Sequence, residues 1–274
     1  TLDLTVTQYS EQQQDRPDIP EPSGKTEYAI GDEVYFDPVK GQRCYSDEAW
    51  TLDDKSRTCY KWNVIKASDS SSDTVELLLD HDLPGDVEWI SLEDYKAAGG
   101  TEEEYSDGCY YDGVNGEQIP CGNNKYGPLT ALKYLKQGTD SWNGVVTLTS
   151  EDNVTRENGS GGTYTINYEG YKARLIGGQE IADIAGNQEW TPSDYSSFNV
   201  PTWLYSNMAV SADMSDMSDI DIYEHIVYWT DSARSSSPYD AWRVYSVGRL
   251  YSLRVSTAYG CGVRPVVKIL KSNL

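Results

Sequence analysis

Histidine is scarce in this chain of 274 residues: only His81 and His225 occur. Neither lies in an H-E-x-x-H helix motif, and no G-x-S-x-G nucleophile elbow is present, which argues against a histidine-dependent hydrolase. Apolar runs are short. None approaches the roughly 18–20 residues that a membrane-crossing helix needs, and Thr1-Leu2-Asp3-Leu4 has neither the basic nor the apolar region of a signal peptide. Positive charge is in deficit, with 22 Lys and Arg against 44 Asp and Glu and a formal net charge of −22. The mean field of such a surface repels phosphate, so nucleic acid and anionic membrane are excluded as partners of the whole surface. Phosphate-loop chemistry is missing too: Gly24-Lys25-Thr26 echoes the end of such a loop, but Ile19 stands where its first glycine belongs.

The five cysteines are few but informative. Cys44 and Cys59 flank one polar loop and Cys109 and Cys121 another, leaving Cys261 over. Neither pair has C-x₂-C metal spacing, so two short-range disulfides in an oxidising compartment are expected. Asn153-Val154-Thr155 and Asn158-Gly159-Ser160 match the glycosylation acceptor pattern, a weak signal in so polar a stretch.

Residues 1–24 are polar and read as a tail, with an edge strand at most at Leu2–Val6; the folded body is expected to span 25–274. Strands are predicted at 28–36, 60–65, 74–79 and 171–176 from alternation and short apolar runs. Two helices are predicted, over 128–136 and 179–185, the first opened by Pro128 and stopped at Gly138, the second closed by Gly186. Residues 187–222, rich in Ser, Asp and Asn, read as a long surface insertion, and strands resume from Tyr223. A strand majority with two helices makes the fold class α+β.

The chain's end has its own composition. Between Asp231 and Cys261 about half the positions are Ser, Tyr or Arg, interleaved with Trp242, Val244, Leu250, Leu253 and Val255. Period-two alternation predicts Trp242, Val244, Leu253 and Val255 inside, with Arg243, Tyr245, Arg254 and Ser256 facing out. Such an outward set is the vocabulary of a paratope: Tyr supplies amphipathic area, Ser adaptable hydrogen bonds, and Arg a fork for carboxylates and rings. After Asp240 no acidic residue follows, whereas Arg243, Arg249, Arg254, Arg264, Lys268 and Lys271 do. Twenty-two Tyr against two Phe indicate that the hydroxyl is being used.

Tyr228-Trp229-Thr230, Tyr239-Asp240-Ala241-Trp242-Arg243-Val244, Gly248 and Gly262-Val263-Arg264-Pro265-Val266-Val267 together resemble the C-type lectin-fold variable proteins of diversity-generating retroelements, found in bacteria, gut Firmicutes among them, and in phages. Tyr171-Lys172-Ala173-Arg174-Leu175-Ile176 through Ile181 is similar to the strand-turn-helix of that family and of the related formylglycine-generating-enzyme-like fold. The resemblance covers roughly residues 25–270 and is specific at the C-terminal end. It implies a C-type lectin fold with mixed antiparallel strands, a variable ligand-binding region at 229–264, and a protein displayed outside a bacterial cell or by a phage. The implied ligand is a protein or glycan on another surface. The implied ligand-contacting set is Arg234, Ser236, Tyr239, Asp240, Arg243, Tyr245, Arg249, Tyr251, Arg254, Ser256 and Tyr259, with Cys261 at a variable position. Trp242, Gly248, Gly262, Val263 and Arg264 match the fixed scaffold.

No enzymatic role is expected. Asp80-His81-Asp82 follows an apolar strand and reads as a strand-end turn before a metal site. Without a nearby second thiol, Cys261 does not read as an oxidase cysteine. No cofactor is predicted; calcium, the ion of many lectins, could draw on Asp213, Asp216, Asp219 and Asp221, although these lack D-x-[DN]-x-[DN]-G order. A fixed-specificity lectin or adhesin and a pilus or fibre head are the alternative readings.

Overall fold

A computed structural model describes residues 25–51, 53–107, 110–111, 118–194, 197–206, 227–258 and 261–274. The expected tail at 1–24, Cys109, Tyr259, His225 and the acidic positions 213–221 lie outside the described residues.

The chain begins with β1 (Glu33–Asp37), β2 (Gln42–Arg43), β3 (Tyr60–Val64) and β4 (Thr74–Leu79), then the short helices α1 (Leu92–Ala97) and α2 (Glu102–Ser106). A small hairpin of β5 (Tyr110–Tyr111) and β6 (Gln118–Ile119) precedes α3 (Leu129–Thr139). The hairpin of β7 (Val154–Glu157) and β8 (Thr163–Ile166) leads to α4 (Gly178–Ile184) and β9 (Phe198–Asn199). The last strands are β10 (Val227–Ala233), β11 (Asp240–Tyr245), β12 (Arg249–Arg254), β13 (Cys261–Gly262) and β14 (Val266–Leu270).

These strands form two main sheets, ordered β14-β4-β3-β1-β2 and β13-β10-β11-β12-β9. Every pairing is antiparallel except β10 with β13. The fold is α+β, as expected from the sequence. Among the described residues no helix is long and apolar enough to cross a membrane.

Among the described residues four α-helices occur in place of the two expected. Both extra ones are short and set by their caps. Ser91 accepts from the Asp94 amide at 3.2 Å, and Thr101 accepts from the Glu104 amide while Glu104 accepts from that of Thr101, both at 3.1 Å. Residues 171–176 do not form the expected strand; Arg174 makes a single bridge to Val266. Its guanidinium instead grips Glu76 on β4 and Glu180 on α4, with contacts of 2.6–2.8 Å, so one buried fork joins the first sheet to the helix before the second.

The expected surface insertion at 187–222 is corrected in its described part. Trp190 is 5% exposed and Leu204 fully buried, and they pack with Ile176, Ile181, Tyr228, Trp242, Val244 and Leu250 into a core of their own. The larger core, built on Trp62, Trp89, Leu135, Tyr168 and Trp229, lies between the first sheet, α3 and the opposite face of the second sheet. The central sheet of the C-terminal half is thus covered on both faces along most of its length, which explains why β10 is buried at every position.

Cys44 and Cys59 are joined in a disulfide, as expected. Closing a loop of this size stabilises a chain by roughly 3 kcal/mol. Cys121 is buried, and its expected partner lies outside the described residues. Asn158 is 5% exposed: its oxygen accepts from the Ser160 and Gly162 amides and its nitrogen donates to Lys125, so the side chain serves the β7–β8 turn and is not presented for modification.

Candidate functional site

The β11–β12 hairpin organises the C-terminal face. Its connection, Ser246-Val247-Gly248, closes with the Gly248 amide donating to Tyr245 at 2.8 Å, and Gly248 takes φ +77°, a left-handed value suited to the last residue of a three-residue hairpin loop. A side chain there would also strike Tyr205, since a Cβ would lie 2.7 Å from its ring.

Register decides which side chains share a face. Trp242 is paired with Ser252, Arg243 with Tyr251, Val244 with Leu250 and Tyr245 with Arg249, while Asp240 opposes Arg254. Alternation therefore puts Arg243, Tyr245, Arg249 and Tyr251 on one face, and Asp240 and Arg254 on the other beside Trp242. The expected single outward set is thereby split between two faces: the parity is right along each strand, but the sequence does not say that inward positions of β11 and of β12 belong to opposite sides.

Two expected surface residues are buried. Arg234, 8% exposed, donates from Nε to Ser236 Oγ at 3.0 Å and lies 3.5 Å from the Asp240 carboxylate, bracing its own loop. Arg243, 5% exposed, sits beneath the surface with Nη1 3.9 Å from Cys261 Sγ and its guanidinium 4.9 Å from the Tyr245 ring centre. Ser236, Arg249 and Tyr251 are exposed; Tyr239, Asp240, Tyr245, Arg254 and Ser256 are half-buried. Tyr251 is 49% and Val247 52% exposed, and the Tyr245 and Tyr251 ring centres lie 6.5 Å apart. Ser256 donates to the Pro120 carbonyl at 2.6 Å, and the Arg254 guanidinium stands 5.9 Å from the Tyr239 ring.

The loop between β10 and β11 is held from behind by a residue that the sequence reading missed. Asn124 is fully buried; its Nδ2 donates to Ser237 at 2.7 Å and Asp240 at 2.8 Å, and its Oδ1 accepts from Gly159. A buried Asn in Gly-rich surroundings is the one trace of this in the sequence. Beside it, Asp231 is gripped by Arg156 through two contacts of 2.8 and 3.0 Å, tying the β7–β8 hairpin to β10.

The scaffold positions are all buried. Trp242 packs at 5.0 Å between ring centres on Trp190, with its Nε1 donating to Pro192 at 3.1 Å. At Gly262 a Cβ would lie 2.7 Å from Asp82 Oδ2, and Val263 accepts from the Leu83 amide. Arg264 donates to the carbonyls of Leu79, Asp80, Leu204 and Ser206.

The Asp80-His81-Asp82 side chains diverge. Asp80 accepts from Asn63, His81 stacks on Trp50 at 4.1 Å, and Asp82 turns toward Gly262. Among the described residues no three His, Cys, Asp or Glu side chains converge as metal ligands. Burial pushes the Asp82 carboxyl up to about 8 and His81 down to about 3.

These shifts have opposite signs in stability. The folded protein holds the Asp82 proton that the unfolded chain releases near 3.8, so this contribution declines as pH rises toward 8. His81 binds its proton more readily unfolded, so it disfavours the fold as pH drops from 6.5 toward 3. Above pH 6.5 only the Asp82 slope remains. Unfolding free energy is expected to fall between pH 6.5 and 8 by up to about 1.4 kcal/mol per pH unit. Urea midpoints at the two pH values measure this, and an Asp82→Asn variant with an undiminished slope would refute the assignment.

Comparison with family models, curated proteins and solved structures gives no match. Function is therefore argued from the site alone.

Proposed function

We propose that this is a ligand-binding display protein with a C-type lectin-like fold, exported by a bacterium or carried by a phage, that engages a protein or glycan through its C-terminal hairpin. The supporting observation is the contrast between the hairpin's two sides. Its Trp242 side is locked against a buried aromatic core, whereas its Arg243 side ends in Tyr251, Arg249 and Val247 at the surface. Rigid support beneath exposed Tyr and Arg is what a binding hot spot needs, because little side-chain entropy remains to be lost. The contacting set is narrower than the sequence alone implies: Ser236, Tyr245, Arg249 and Tyr251 lead it, with Tyr239, Arg254 and Ser256 along the other flank. Arg234 acts as support.

Tyr251→Ala tests this reading. On protein and glycan arrays it is expected to weaken any captured ligand about tenfold or more, while changing stability by no more than about 0.5 kcal/mol. Ligands that bind the variant as well as the parent would overturn the reading. Whether the face is diversified by retroelement mutagenesis or fixed is decided by the flanking DNA: a near-copy of the 229–264 codons differing only at adenines marks the former, and its absence favours a fixed-specificity adhesin.

A further inference from the structure

Arg243 is unusual among the cations of this protein. Arg156, Arg174 and Arg234 are each paired with a carboxylate, and Arg264 with four carbonyls. Arg243 is as buried as these, yet among the described residues its Nε has no hydrogen-bond partner and its one polar contact is the Cys261 sulfur. A buried guanidinium without a counter-charge is costly, and proteins normally pair it. Burial lowers its pKa and raises that of the Cys261 thiol to about 12, so the sulfur is a neutral neighbour and not the missing anion.

The guanidinium lies 4.9 Å from the Tyr245 ring centre, and Arg243 is paired across the strands with Tyr251 on the proposed face. We infer that Arg243 is the anchor of a carboxylate subsite, filled by an Asp or Glu side chain of a protein ligand inserted alongside Tyr245 and Tyr251. This rests on the hairpin being the ligand face. A carboxylate matches the planar Nε and Nη fork, and as a single charge it is desolvated at less cost than a phosphate. An acidic side chain on a polypeptide is favoured over an acidic sugar by the exposed residues of the same hairpin. Val247, 52% exposed at the hairpin tip, offers apolar contact and nothing to sugar hydroxyls. Arg249, exposed on the same face, supplies a field that offsets the repulsion of an acidic partner by the rest of this acidic chain.

The first test uses the intact protein and small probes. In a nitrogen-detected NMR titration, sodium acetate is expected to move the Arg243 Nε resonance saturably, where sodium chloride at equal ionic strength does not; no saturable movement overturns the subsite. Arg243→Lys identifies the resonance, and if that variant does not fold, the Tyr251→Ala protein serves, since its Arg243 signal alone among the buried arginines should shift. Sodium glucuronate is the second arm: a saturable response stronger than that to acetate would overturn the peptide source. The second test displays peptides in Glu and Gln versions. Peptides whose capture depends on Tyr251 should bind about tenfold more weakly as Gln, the usual loss of one charge-assisted pair. Tyr251-dependent capture that is indifferent to Glu or Gln would sink the carboxylate subsite and leave the ligand face standing. Capture indifferent to Tyr251 would remove the face itself.

Discussion

Trp242→Ala is expected to destabilise the protein by about 3–5 kcal/mol, the range for deleting a fully buried aromatic. The indole is 1% exposed, meets Trp190 edge to face, and donates to the Pro192 carbonyl. Removing it leaves a cavity between β11 and the segment that covers it, takes from the Pro192 carbonyl one of its two donors, and unlocks the back of the hairpin whose front carries Tyr245 and Tyr251. On the proposed function, loss of binding should accompany loss of stability, unlike in Tyr251→Ala, where binding alone is expected to be lost. Thermal and urea unfolding of the two variants side by side measure the contrast; equal stability would show that the hairpin's two sides are not distinct.

Replacing Arg264 with Met should cost a comparable amount, about 3–5 kcal/mol. Its guanidinium spans the end of β4 and the 204–206 segment, capping carbonyls from both. Methionine fills much of the volume but donates nothing, and each buried carbonyl left unpaired costs about 1–3 kcal/mol. Lysine cannot fork over several acceptors, so Arg264→Lys should recover only part of the loss. The nearby Asp82 keeps its proton to about pH 8, so below that pH the deficit arises from the carbonyls and not from a broken ion pair. It should deepen above pH 8, because without the cation that lowers it the Asp82 pKa rises further, and the variant goes on losing stability with pH where the parent has stopped. Urea unfolding at pH 7 and 9 would reveal this, and a deficit that shrinks with pH would refute it.

How far the sequence carried these conclusions varied with the range of the interaction. Strands at 60–64 and 74–79 and helices at 129–139 and 178–184 lay where local periodicity put them, because each presents one apolar side to a core. The Thr101-Glu104 capping box was also written in the sequence, as a Thr-x-x-Glu pattern. Residues 190–204 read as surface because Ser, Asp and Asn surround them; that Trp190 and Leu204 belong to a core follows only from the sheet they cover. At the site, residue types and alternation marked the hairpin, while burial of Arg234 and Arg243 depended on cross-strand register and on Cys261 arriving beside β10. No periodicity within one strand encodes that arrival.

The last strands lie in different sheets: β13 lines the edge of β10, and β14 crosses over to pair Leu270 with Thr74. Such remote pairing carries a loop-closure cost that must be met before the contact stabilises the fold. A premature stop or frameshift anywhere in 234–260 would delete both strands together, leaving β10 and β4 with raw edges and Arg264 missing from the joint between them. A chain cut there would thus fail to fold, so the topology makes the last two strands a check on the intactness of the segment before them.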